Sequence, residues 1–302
     1  MKKLIDTLST LSVLLSLTAC GGSSSAAAQS GAPAPAVSSS ASPAESKSGA
    51  APQPKAEEAV VAEQVLVDQD GIKITATGLD LKGVMGPEMK VLIENQGEKD
   101  ITVQVRDMSV NGYMVDTSMS AEVVAGKKVN DNITFFKSDI EECGISAFAD
   151  MEFRFHIFST EDWSSVLDTD IIQVQTSLAG THTQTYDDSG ESVLDQDGIK
   201  IVYKGMEDSL MGPSMMFYIE NNTDTKITVQ QRSMSIDGFM IDGIFSPEVM
   251  PGKRAIQGIT IFNSDLEDNG IETLTSAELS FHIFQSDNMQ GLLDSDMITI
   301  TL

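Results

Sequence analysis

From residue 64 onward, apolar and polar positions alternate in short runs. GIKIT, MKVLIEN, ITVQV, NITFF, EFRFHIF and DIIQVQT span 5 to 8 residues each, between clusters of glycine, asparagine, aspartate and serine. A period of two is the mark of half-buried strand, and many short strands between turn signals predict a β-sandwich. On MEFRFHIF the alternation sets Met151, Phe153, Phe155 and Ile157 on a core face and Glu152, Arg154 and His156 on the other. SVNGYMV (109–115) and SIDGFMI (235–241) predict hairpins, because Asn-Gly and Asp-Gly accept the positive φ of a type I′ turn. A two-residue turn sets Val110 opposite Tyr113 and Met108 opposite Val115, all inward, with Ser109 and Met114 outward. The second hairpin puts Met234, Ile236, Phe239 and Ile241 inward, Ser235 and Met240 outward. SDIEECGI and SDLEDNGI break the strand pattern. Ser138 with Glu141, and Ser264 with Glu267, have capping-box spacing before a glycine, which predicts one helical turn in each place.

These pairs are not accidental. Displaced by 126 residues, Met85–Thr176 aligns with Met211–Leu302 without a gap, with 39 identities in 92 positions. DQDGIKI recurs as well, so the chain holds a duplicated domain of about 110 residues, each copy large enough for its own core. The expected organisation is two beads on a string: residues 64–177 and 191–302, joined by a linker at 178–190.

The N-terminus changes the setting. Lys2 and Lys3 precede a short apolar stretch ending in Leu17-Thr18-Ala19-Cys20, so residues 1–20 read as a signal peptide. The apolar run falls short of the roughly 20 residues that span a bilayer. Residues 21–63 are Ser-, Ala- and Pro-rich, with no aromatic residue. Such a composition predicts a disordered tether, whose first forty residues would have a root-mean-square span of about 35 Å. The net charge of −26 is shared evenly, 20 acids against 9 bases in residues 64–176 and 18 against 6 in 191–302. That field repels nucleic acid and other polyanions.

Leu17-Thr18-Ala19-Cys20 resembles the bacterial lipobox, which implies that Cys20 carries lipid and begins the mature chain. A lipobox, a Ser/Ala/Pro linker, then repeats of the form IEN…ITV…NG…GK…F…SDIE…GI resemble the immunoglobulin-like domains of lipoproteins from Gram-positive bacteria. The resemblance implies an all-β fold of two tandem immunoglobulin-like β-sandwich domains. It also implies lipid anchoring at the extracellular face of the cell membrane. It supplies no catalytic residue.

Candidate chemistry is sparse. Asp68-Gln69-Asp70-Gly71 and Asp195-Gln196-Asp197-Gly198 could open calcium loops, but no third acid or later bidentate Glu occurs at the needed spacing. Asp68, Asp70, Asp195 and Asp197 are therefore expected to be turn formers, and calcium would need LDTD (167–170) or LDSD (293–296) alongside. Cys143 has Asn269 as its counterpart and reads as a packing or surface residue rather than a nucleophile. His156 and His282 are equivalent and read as exposed strand residues; His182 lies in the linker. Most of the sixteen methionines fall on core faces, where methionine fills gaps. The expected function is non-enzymatic: binding or structural, without cofactor, through loops or strand faces, to a protein partner. Alternatives are a solute-binding or sensory lipoprotein, or an inhibitor of an envelope enzyme. Met114 and Met240 are the candidate interaction patch, unless another strand or the neighbouring domain covers them.

Overall fold

The computed structural model describes residues 58–302. The Cys20 lipidation site and residues 21–57 of the expected tether lie outside the described residues.

The first repeat runs β1 (Gln64–Gln69), β2 (Ile72–Asp80), β3 (Glu88–Asn95), β4 (Ile101–Val110), β5 (Tyr113–Met114), β6 (Thr117–Ser118), β7 (Ser120–Val123) and β8 (Lys127–Phe135). Helix α1 (Lys137–Glu142), β9 (Asp150–Ser159), β10 (Ser165–Asp168) and β11 (Ile172–Gln175) complete it. One antiparallel sheet has the order β1-β2-β3-β8-β6; in the other, β9 and β4 are central, with β10 and β11 on one edge and β5 and β7 on the opposite edge. The chain changes sheet between β3 and β4, crosses and returns at β6, changes again between β7 and β8, and again through α1, which is the immunoglobulin-like sandwich arrangement. Met151, Phe153, Phe155 and Ile157 are completely buried, as the alternation requires, and each contributes about 1.5–3 kcal/mol relative to exposure.

The second repeat has the same plan: β12 (Glu191–Gln196), β13 (Ile199–Glu207), β14 (Ser214–Asn221), β15 (Ile227–Ile236), β16 (Phe239–Met240), β17 (Glu248–Val249) and β18 (Arg254–Thr260). Then come α2 (Asn263–Asn269), β19 (Ser276–Gln285), β20 (Gly291–Asp294) and β21 (Ile298–Thr301). Both expected hairpins form: Val110 pairs with Tyr113 and Ile236 with Phe239, with φ of 50° and 88° at Asn111 and Gly112 and 48° and 85° at Asp237 and Gly238. Of the repeated aspartates only Asp70 and Asp197 form turns; Asp68 and Asp195 instead lie in β1 and β12, paired with Lys73 and Lys200. Asp70-Gly71 and Asp197-Gly198 take positive φ between the first two strands of each repeat.

Three more expectations need correction. The capping boxes do not form. The Ile140 amide bonds the Phe136 carbonyl at 3.3 Å, so helical bonding starts straight off β8, with Phe136 and Phe262 in the cap positions and no side-chain cap bond. Ser138 instead donates to Asp139. The tether ends earlier than residue 63, because Ala59 and Val61 are buried in the first core and Val60 exchanges bonds with Ser177. Nor are the repeats beads on a string. All the described residues fall in one compact unit, and the segment 178–190 is bonded into it at Leu178, Gln184 and Tyr186.

Candidate functional site at the junction of the repeats

The junction begins with the β4–β5 hairpin of the first repeat. Tyr113 pairs in parallel with Arg254 of β18, and the Arg254 amide donates to the Gly112 carbonyl at 3.0 Å, so one sheet of each repeat runs into the other. Val202 and Tyr218, on the outward face of β13 and β14, are 1% exposed and belong to the first repeat's core cluster; Ile256 packs against it. Met114 packs in return against the second repeat's core. Met114 is therefore covered by the neighbouring repeat. Met240, its counterpart, is 69% exposed.

Phe239 needs a correction as well. The hairpin pattern predicts it on the core face, yet it is 45% exposed, whereas the equivalent Tyr113 is 1% exposed. Tyr113 owes its burial to residues later in the chain. Tyr186 lies edge-on to it at 5.3 Å, donates its hydroxyl to the Asn111 carbonyl at 2.9 Å, and carries the Arg254 guanidinium 4.2 Å above its ring. Gly112 is required here, because a Cβ would stand 2.5 Å from the Tyr186 hydroxyl. Burial pushes the Tyr113 phenol up to about 12.

Charge fixes the rest. A bulge in β4 gives Asp107 a φ of 56°. Its carboxylate, 8% exposed, is held by Arg154 at 2.7 Å and by Lys226 of the second repeat at 3.2 Å. Burial presses the Lys226 ammonium down, but the bond to Glu248 and the charges of Asp107 and Glu248 outweigh it and leave it raised. Lys253 reaches back to Glu152 at 2.7 Å, and Arg254 pairs with Glu220 at 2.7 Å. Alongside runs an open cleft of 860 Å³, lined from both repeats by Asp107, Met114, Asp116, Asp139, Lys226 and Phe245, among others. The Asp116 carboxyl is raised by burial and then by the charge of Asp139.

The other candidates fall elsewhere. Asp68 and Gln69 line a 370 Å³ recess with Asp168 and Asp170, so LDTD does lie beside the first turn; among the described residues, however, no group of three acids, histidines or cysteines could hold a metal. Asp70, Asp195 and Asp197 stay in or beside their turns. Cys143 is buried, and burial, then the charges of Asp139 and Glu142, push its thiol up to about 12, which removes thiolate character near neutral pH. Each strand histidine has a partner that the alternation pattern alone does not reveal: His156 meets Asp168, and His282 meets Asp294, both at 2.5 Å. The shared spacing of FHIF to LD-x-D, kept in both repeats, is the signal the sequence offers for it.

No protein-family profile and no curated protein sequence matches the chain. Among solved structures, the YadV chaperone is similar over 71% of this chain and 92% of its own, at 12% identity and a TM-score of 0.23. A likeness that low carries no argument about this chain, and the sandwich assignment stands on its own strand order.

Proposed function

We propose that this chain is a lipid-anchored protein of the extracellular membrane face that acts by binding rather than catalysis. The lipobox-like Leu17–Cys20 supports the anchor, as does the Ser/Ala/Pro-rich segment after it. The observation that carries the binding role is the Phe239–Met240 pair, left bare on the second repeat at the position where the first repeat docks a whole domain. A large apolar pair on a sandwich edge is surface that burial would stabilise.

Cys20→Ser tests the anchor by fractionation: the variant should leave the membrane fraction, and unchanged membrane association would overturn that half of the reading. A photo-reactive residue at Met240 tests the binding half. A discrete crosslinked species is expected on whole cells, and its absence there refutes a partner at this surface. Capture of a small solute is the second reading, favoured by the 860 Å³ cleft between the repeats. It requires saturable uptake of a small molecule by the purified protein, abolished by Lys226→Glu.

A further inference from the structure

The binding reading leaves the partner open, and the junction names one. Inside the chain, the Tyr113–Met114 strand lies against a row of outward residues, Val202, Tyr218 and Ile256, paired across β13, β14 and β18. The first repeat carries the same row on β2, β3 and β8 as Thr75, Leu92 and Asn130. In the described chain nothing equivalent to Tyr113–Met114 sits on it. β8 has a strand partner on its outer edge only at Thr134 and Phe135, which leaves Lys128, the counterpart of Arg254, without one. Phe239–Met240 is the unused strand; on the matching row Thr75 is already buried, Leu92 is half-buried and Asn130 is exposed, so the free part of that face is Leu92 and Asn130.

Charges that survive the duplication point the same way. The inter-repeat bridge from Lys253 to Glu152 has counterparts in Lys127 and Glu278, both exposed. Glu94 beside Lys128 repeats Glu220 beside Arg254, at 3.9 Å rather than 2.7 Å. Other parts are weakened: Ser233 stands for Asp107, Asp100 for Lys226 and Ser280 for Arg154, and the apolar row is reduced to Leu92. Between two copies, the retained groups would support a contact of the same kind but weaker than the one inside the chain.

We propose that copies of this chain associate head to tail, the Phe239–Met240 strand of one against Leu92 and Lys127–Lys128 of the next. The two surfaces differ, so the contact is heterologous and, unless it closes into a ring, extends into an open array. It rests on the binding part of the proposed function and is independent of the anchor.

The test is sedimentation velocity on the full chain carrying Cys20→Ser, over a concentration series. The average sedimentation coefficient should rise with concentration and pass beyond that of a dimer. Phe239→Glu with Met240→Glu in one variant, and Leu92→Glu in another, should each weaken association by about tenfold or more, with melting temperatures unchanged. An equimolar mixture of the two variants retains one good surface of each kind and should form a single heterodimer. Glu278→Lys should also weaken association, and Lys127→Glu in the mixing partner should restore it, which keeps the test open if a glutamate variant misfolds. A parent that stays monomeric at all concentrations overturns the proposal. So does a dimer that survives Leu92→Glu, which would mean a symmetric contact between two Phe239–Met240 patches. Loss of membrane attachment without loss of sedimentation behaviour, by contrast, bears only on the anchor.

Discussion

Tyr186→Ala should uncouple the two repeats. The ring contributes three separable contacts: a hydroxyl bond to the Asn111 carbonyl, an edge contact with Tyr113, and the Arg254 guanidinium above its face. These are worth about 1, about 0.5–1.5 and about 0.5–1 kcal/mol respectively. Because the ring is 36% exposed, the sum belongs at the lower end, about 2 kcal/mol. That is roughly a thirtyfold change in the equilibrium between docked and undocked repeats. In calorimetry the parent should unfold in one cooperative transition, and Tyr186→Ala should split it into two or lower and broaden it. Tyr186→Phe loses only the hydroxyl bond and should fall between them. A variant that melts at the parent temperature, in one equally sharp transition, would refute the claim that this ring couples the repeats.

Buried and shifted groups give two further outcomes. Asn95 and Asn221 are 1% and 0% exposed, and their side chains bond the backbone at Lys99 and Val123, and at Thr225 and Val249. Asn95→Ala or Asn221→Ala should cost about 2–4 kcal/mol in urea unfolding, and a loss well under about 1 kcal/mol would mean water replaces those bonds. Glu142 is pushed up to about 7 from 4.5, by partial desolvation first and then by the charges of Asp139 and Glu207. The folded chain therefore holds this proton more tightly than the unfolded one, so stability present below pH 4.5 is lost as pH rises through about 7. Glu142→Gln should be the more stable form at about pH 8, by at most about 1 kcal/mol since the group is partly exposed, with no difference near pH 4. An equal gain at both pH values would rule out titration as the cause.

Strand faces were legible in the sequence because burial on one side of a sheet imposes a period of two. Phe153 and Phe155 illustrate it: same face, both wholly buried. The turns were legible because Asn-Gly and Asp-Gly are chosen by backbone geometry alone. Alternation does not say what lies on the other side of a sheet. Tyr113 and Phe239 occupy equivalent places in the two repeats, and only the presence of Tyr186 and β18 beside one of them makes it buried. The capping boxes failed for a related reason. Ser138 had the right spacing, but the strand ahead of it delivers the chain already in position for Phe136 to accept the first helical bond. The Asp107–Lys226 pin links residues 119 apart in sequence. No local pattern reports a contact of that separation.

The dependence of Tyr113 on later residues also orders events during synthesis. A ribosome completes the first sandwich before Tyr186, Lys226 or Arg254 exists, and domains generally fold as they emerge. At that stage the newborn repeat shows Tyr113 and Met114 uncovered, with Asp107 held by Arg154 alone. Tyr186 is made first, then Val202 and Tyr218, then Lys226, and Arg254 last, so the junction closes progressively from the segment just after the first sandwich. Until then the nascent chain carries on its first repeat the same kind of uncovered aromatic and methionine that the finished protein keeps on its second. Any factor that guards apolar surface on a newborn chain would therefore meet that surface twice, once in passing and once for good.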